Sequence, residues 1–180
     1  MGTYTTRVLH VSPQLSSALS IIRSYIIVVV AGVTGGILMD KFRYKSQGMF
    51  VAFLSIAIFS IAMYFTSSVP LLCVVVTIVI SYMANAIKST YWSTLGEAGI
   101  SIEDTAAAIS IISTIGLSPD LFVPPVISRF LEYGERIGNI EVGFNLMILW
   151  LAVWGFLGVI ASIILGKRAR KSTIKAKRAY

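Results

Sequence analysis

Long apolar runs separated by short polar ones set the pattern of this chain. Five runs stand out, at about 14–39, 48–66, 70–95, 104–130 and 143–166. Each holds about 20 mostly apolar residues, the length a helix needs to cross a hydrocarbon core about 30 Å thick. The predicted fold class is an all-α integral membrane protein with five transmembrane helices. The separators behave as connections. "DKFRYKSQG" (40–48) is a charged loop, and "SSVP" (67–70) is a turn whose proline suits a first helical position. "LEYGERIGNIEVG" (131–143) is a second charged loop. Residues 1–166 read as the membrane bundle and 167–180 as a basic tail.

Charges inside the runs single out three helices. The second and fifth runs carry none, whereas Arg23, Lys88 and Asp120 lie in the first, third and fourth. A charge at the centre of a span costs about 2.5–3.5 kcal/mol on insertion scales. Each Leu, Ile, Val or Phe returns only about 0.3–0.6 kcal/mol. The first run holds twelve such residues between Leu15 and Leu38 and inserts despite Arg23. The fourth is interrupted by "GLSPDLFVPP" (116–125), an aspartate among three prolines, and is marginal without neighbouring helices. In the third run Ser81, Asn85, Lys88 and Trp92 follow i, i+4, i+7, i+11, which is one helical face. Such a face looks at a water-filled cavity or at other helices, and not at lipid. Asn85 equally suits a structural bond to a neighbouring helix, and Lys88 equally suits snorkelling to the interface. Proline breaks persist in membranes where protein or a water-lined cavity satisfies the freed backbone. Transporters place such broken helices at mid-membrane sites. For Asp120 three roles stay open: holding a proton, binding a cationic group, or pairing with Arg23 or Lys88.

Composition agrees with the pattern. The 180 residues are 56% hydrophobic and 13% charged, against about 25% charged for soluble domains. Mean hydropathy is +0.83. The net charge of +7 owes most to the tail, with Lys167, Arg168, Arg170, Lys171, Lys175, Lys177 and Arg178. Directly after a membrane helix, such a tail reads as an anchor against anionic lipid rather than a nucleic-acid arm. The loop after the first run carries Lys41, Arg43 and Lys45, and with five spans it falls on the tail's side. The positive-inside rule puts both in the cytoplasm of a multi-pass cell-membrane protein. The N-terminus is then outside, and no signal-peptide pattern precedes it. The odd span count suggests an upstream portion beyond "MGTYTTRVLHVS". Cys73 is the single cysteine and reads as a buried structural thiol. His10 is the single histidine, so neither a metal cluster nor a Ser–His–Asp arrangement is expected. A phosphate loop GxxxxGK[ST] is missing. The chain is therefore expected to be no enzyme and to use no cofactor.

"GGILMDKFRYKS" (35–46) resembles the cytoplasmic loop signature of the major facilitator superfamily. Gly36, Asp40, Lys41 and Lys45 match it, while Arg43 stands at the usual loop glycine and Tyr44 at a basic position. "ALSIIRSY" (18–25), "STLGEAG" (93–99) and "IGLSPDLFVPP" (115–125) are similar to a bacterial branch of that superfamily. The resemblance implies the C-terminal half of a twelve-helix fold, from the end of helix 7 through helix 12. It implies further that the second and fifth spans face lipid while the others surround a cavity, and that Asp40 acts as a conformational latch. Gly32 and Gly36 form a GxxxG pair, which permits close helix approach. Phe50, Phe53, Met63 and Tyr64 are expected to face lipid or pack.

The function expected from residues and resemblance together is transmembrane transport of a small solute by alternating access. Arg23, Asn85, Lys88, Trp92 and Asp120 are the cavity candidates. Arg23 and Lys88 suit an anionic or polyhydroxylated solute, and Asp120 suits a coupling proton. The expected partners are the bilayer, the solute and a missing N-terminal half. The alternative is a truncated or split-gene membrane fragment that transports nothing alone.

Overall fold

A computed structural model describes residues 12–65, 70–101 and 103–178, and among them every regular element is helical. Helix α1 (Pro13–Ile21) runs through a π turn (Ile22–Ile26) into α2 (Ile27–Asp40). Then come α3 (Lys45–Phe65) and α4 (Pro70–Thr90), a 3-10 turn (Tyr91–Ser93) and the short α5 (Thr94–Glu97). Helices α6 (Thr105–Leu117), α7 (Pro119–Arg136) and α8 (Ile140–Arg178) complete the chain. The segments Lys45–Phe65, Leu71–Glu97, Thr105–Arg136 and Ile140–Lys171 are long and apolar enough to span a membrane, and Ser24–Asp40 is a shorter apolar helix. The chain is an all-α, multi-pass membrane protein.

The apolar pattern placed these helices well, with differences that have physical causes. The first run is one helical path divided by the π turn, whose flanking residues Ile21 and Ile27 keep right-handed helical angles. Gly99 and Gly138 adopt φ of 78° and 71°. This left-handed conformation costs glycine nothing and closes the helical stretches before α6 and α8. No break separates bundle from tail at residue 166. Helix α8 has 39 residues, so at 1.5 Å per residue it runs about 58 Å, nearly twice the hydrocarbon thickness. Lys and Arg are good helix formers, so the basic segment continues the helix. Pro70 opens α4 as its first residue. Ser67, His10 and the N-terminus, expected to lie outside, fall beyond the described residues.

Packing orders the helices α2, α4, α3, α8, α7. Between lipid-exposed helices there is little hydrophobic drive, so small residues that admit close backbones decide the contacts. Ile27, Ala31, Gly35 and Met39 recur every four residues and form the buried face of α2. At Gly35 an added Cβ would lie 2.6 Å from the Cβ of Ala86 on α4. The predicted Gly32–Gly36 pair is not the contact, because neither glycine has a neighbouring atom within 4 Å of an added Cβ. One residue is 100° of helix, so the pair sits on the adjacent face. Gly155 of α8 lies against Ala57 of α3, and Gly143 of α8 against the Phe130 and Leu131 backbone of α7. The core is filled by Ile56 and Met63 from α3, Cys73, Val76 and Ile80 from α4, and Phe144, Met147 and Ile148 from α8. Met63 and Cys73 are each 1% exposed, so both pack in the interior. Tyr64 is exposed, edge-on to Phe65.

The two uncharged spans, α3 and α8, therefore meet at the centre of the order and do not lie at its rim. An apolar helix buries against another as readily as against lipid, so lack of charge does not by itself mark an outer helix. The 105–136 span is the opposite case. Its most apolar stretch has no buried residue, and α6 packs closely only on its own continuation, α7.

Candidate functional site

Asp120 stands where the fourth span restarts. Pro119 and Asp120 open α7 directly after Ser118. Proline lacks an N–H, so Pro119 cannot donate to the carbonyl of Ile115 four residues earlier. The Ser118 hydroxyl donates to that carbonyl instead, at 2.7 Å, and the helix passes the break without an orphaned oxygen. Pro124 and Pro125 also lie inside α7 and withhold donors from the carbonyls of Asp120 and Leu121 in the same way. Asp120 itself is exposed and lies in the first turn of α7, where the positive end of the helix dipole favours a carboxylate. The hydroxyls of α6 are satisfied locally. Ser110, Ser113 and Thr114 donate to the carbonyls of Ala106, Ile109 and Ser110 at 3.1, 2.7 and 2.9 Å. Ser118→Ala is expected to cost about 1 kcal/mol, the net worth of one hydrogen bond. It should cost close to nothing beside Pro119→Ala, where the backbone N–H returns. A double-mutant cycle on thermal stability in micelles checks the coupling.

The α4 candidates keep their helical face only in part. Helix α4 ends at Thr90, and Trp92 falls in the tighter turn beyond it, its ring 4.1 Å from that of Tyr91. A 3-10 turn advances 120° per residue rather than 100°, which turns Trp92 by about 40° from the α-helical register with Ser81, Asn85 and Lys88. The Asn85 side-chain amide donates to the Ser81 carbonyl at 2.8 Å, so it is satisfied on its own helix. Lys88 is exposed in the last turn of α4. Lys88 and Asp120 form no ion pair among the described residues. Arg23 lies within the π turn, and its side chain is outside the described residues. Beside that turn an apolar groove of about 430 Å³ opens between Ile26 and Val30 on one side and Val79 and Tyr82 on the other. The hydroxyls of Tyr82 and Thr34 meet at 2.8 Å across α2 and α4, while Thr34 also donates to the Val30 carbonyl at 2.6 Å. Composition did not reveal this contact, because both residues read as ordinary members of apolar runs.

The basic loop has a firmer anchor than the one expected. The Lys45 ammonium donates to Asp40, but the Asp40 side chain is 71% exposed, and such surface pairs contribute about 0–1 kcal/mol. The Lys45 and Ser46 amides, the first two of α3, both donate to the Glu97 carboxylate, the latter at 3.1 Å. Glu97 thus caps α3 from the far end of the α4–α5 segment. The signal was present in the sequence: Glu97 is the sole acid between Asp40 and Glu103. Gly36 and Lys41 make no contact comparable to this one. Gly36 has open space beside it and Lys41 is exposed.

Comparison with known proteins corrects the family assignment. No family model matches the chain, and no solved structure matches it. The chain is similar to inner membrane protein YihN of Escherichia coli strain K12, with 26% identity over 159 residues. That match covers 86% of this chain and 37% of the relative, so the chain spans little more than a third of the protein it resembles. Membership of the major facilitator superfamily, and with it the twelve-helix numbering, is overturned by the absence of any matching family model. The physical reason lies in how little the signature demands. Gly36, Asp40, Lys41 and Lys45 are residue types common where a basic loop joins two membrane helices. The similarity to an inner membrane protein agrees with the apolar helices.

Proposed function

We propose that this chain forms part of a solute pathway in a multi-pass membrane transporter, with Asp120 as its ion-responsive group. The observation that carries the reading is the position of Asp120. It is a carboxylate inside an apolar span, exposed in the first turn of a helix restarted by Pro119, and the most apolar stretch of that span has no buried residue. Charged groups within spans mark ion and solute paths, and broken helices at that depth supply dipole ends and freed carbonyls that hold ions. The Asp120 and Leu121 carbonyls, relieved of ladder donors by Pro124 and Pro125, add oxygen to the same turn. A proton or small cation on Asp120 neutralises it. This lowers the cost of moving the α6–α7 junction against its surroundings and couples ion to solute. Lys88 and Arg23 suit the solute's anionic or hydroxyl groups. The reading includes no enzymatic role. It places the basic loop and tail in the cytoplasm by the positive-inside rule.

Asp120→Asn is the direct test. Vesicles holding the chain are given a panel of sugars and small organic anions, and a pH-sensitive dye records solute-dependent proton movement. The wild type is expected to move protons, and the variant to lose at least about a hundredfold, the range set by removing an obligatory proton carrier. Undiminished coupling in Asp120→Asn would end this role.

A second reading has its own support. The chain spans 37% of its relative, and among the described residues α6 packs closely only on its continuation. A further bundle would complete the wall, and the 180 residues would conduct nothing alone. Silence of the purified chain, with flux in cells that carry a longer partner, would select this reading.

A further inference from the structure

We propose that the groove between α3 and α8, at the basic end of the bundle, is a binding site for one anionic phospholipid. This stands apart from the transport reading and rests on different residues. The groove encloses about 500 Å³. Its walls are apolar, with Phe42, Phe50, Val51 and Ile163, and its mouth carries Lys167 and Arg170. These two residues are one helical turn apart on α8 and project to the same side. Both are exposed, and neither is paired with a carboxylate among the described residues. The nearby acids are already engaged: Glu97 by the α3 amides and Asp40 by Lys45. The positive charge at the mouth is therefore uncompensated.

A second, independent observation lies on the floor. Ser46 is 1% exposed, lines the groove, and its hydroxyl has no hydrogen-bond partner. A buried hydroxyl left unsatisfied costs about 1–3 kcal/mol. Ser60 is the other such hydroxyl among the described residues, but it does not line this groove. Gly166 lies beside Ser46, with 3.4 Å between the hydroxyl and an added Cβ, so only a glycine separates the hydroxyl from the α8 side of the groove.

The occupant is identified by charge and shape. A phosphodiester at the mouth accepts from Lys167 and Arg170, an ester or phosphate oxygen accepts from Ser46, and an acyl chain lies along Phe50, Val51 and Ile163. Basic pockets between membrane helices hold anionic headgroups in this way. No acidic residue lines the groove to receive the ammonium of a zwitterionic headgroup, so the site favours anionic lipid. The apolar walls favour a lipid over a free phosphate.

The test uses the full chain in nanodiscs of equal parts phosphatidylglycerol and phosphatidylcholine. Native mass spectrometry then counts lipids retained on release. The wild type is expected to keep one phosphatidylglycerol. Lys167→Gln with Arg170→Gln should weaken retention about thirtyfold, from about 1 kcal/mol per basic residue at the membrane surface. Arg168→Gln removes a charge from another face of the same helix, about 100° round from Lys167, and should change retention by less than about threefold, the residue of long-range attraction. Ser46→Ala should lower retention while leaving the thermal stability of the lipid-free chain equal or higher, which separates a lost ligand contact from misfolding. A loss in Arg168→Gln as large as in Lys167→Gln or Arg170→Gln alone would overturn the site in favour of a diffuse basic surface. Equal retention of phosphatidylcholine, displacement by millimolar inorganic phosphate, or an unchanged Ser46→Ala would also overturn it.

Discussion

Gly35→Val is expected to force α2 away from α4 and destabilise the bundle by about 3 kcal/mol, the upper range for overfilling a packed contact. An added Cβ at Gly35 would stand 2.6 Å from the Ala86 Cβ and 2.9 Å from the Ala86 Cα. The second distance is to backbone, so no rotamer change relieves it and one helix must move. Gly32→Val and Gly36→Val meet open space and should stay within about 0.5 kcal/mol of the parent, as ordinary surface changes do. A single thiol reports the difference. Cys73 is the one cysteine of the chain and is buried in the α3–α4–α8 core. A thiol-reactive dye in detergent therefore labels it as the bundle opens. Gly35→Val should lower the labelling midpoint by roughly 6–12 °C, by the scaling for chains of this length. Greater sensitivity at Gly36 than at Gly35 would mean that the helices meet on another face.

The contrast between Gly35 and Gly36 shows what the amino-acid pattern carries and where it stops. The span positions were legible, because lipid demands continuous apolar runs and the charged loops bound them sharply. The proline break before Asp120 was legible too, since proline's missing N–H is a property of the residue itself. The face of α2 that meets α4 was not. Ala31–Gly35 and Gly32–Gly36 are both small-residue pairs four apart, and only the position of Ala86 chooses between them. The π turn over Ile22–Ile26 left no mark, as "IRSYI" holds neither glycine nor proline. Trp92 was assigned to the α4 face by counting at 100° per residue, a count that drifts by about 20° for each residue once the helix tightens after Thr90. The loop signature was over-read, because four matching positions describe a local joint and not the architecture around it. The role of Glu97 was missed because, although it is the sole acid of its stretch, its capping partner lies 51 residues away in sequence and tertiary folding pairs the two.

Glu97→Ala is expected to be the most disruptive single change at the basic end of the bundle, costing about 2–3 kcal/mol for two hydrogen bonds to a charged acceptor. The Lys45 and Ser46 amides of α3 both donate to this carboxylate, and its charge also meets the positive end of the α3 dipole. Removing it leaves two helix-terminal donors without a protein partner, and water recovers only part of the loss. Glu97→Gln keeps one acceptor oxygen but turns an NH2 toward the second amide, so it should recover about half. Asp40→Asn breaks only an exposed ion pair and should cost no more than about 1 kcal/mol. Hydrogen exchange distinguishes these cases directly. In the parent chain the Lys45 and Ser46 amides should exchange slowly for helix-terminal positions. In Glu97→Ala they should approach unprotected rates while the amides of Ile56 and Ile80 stay protected. If Asp40→Asn exposes the same two amides as strongly, the joint depends on the ion pair and the carboxylate cap is secondary. If only Glu97 variants do, the end of the α4–α5 segment holds the start of α3. Motion of the α4–α5 segment away from the start of α3 must then break the Glu97 contact.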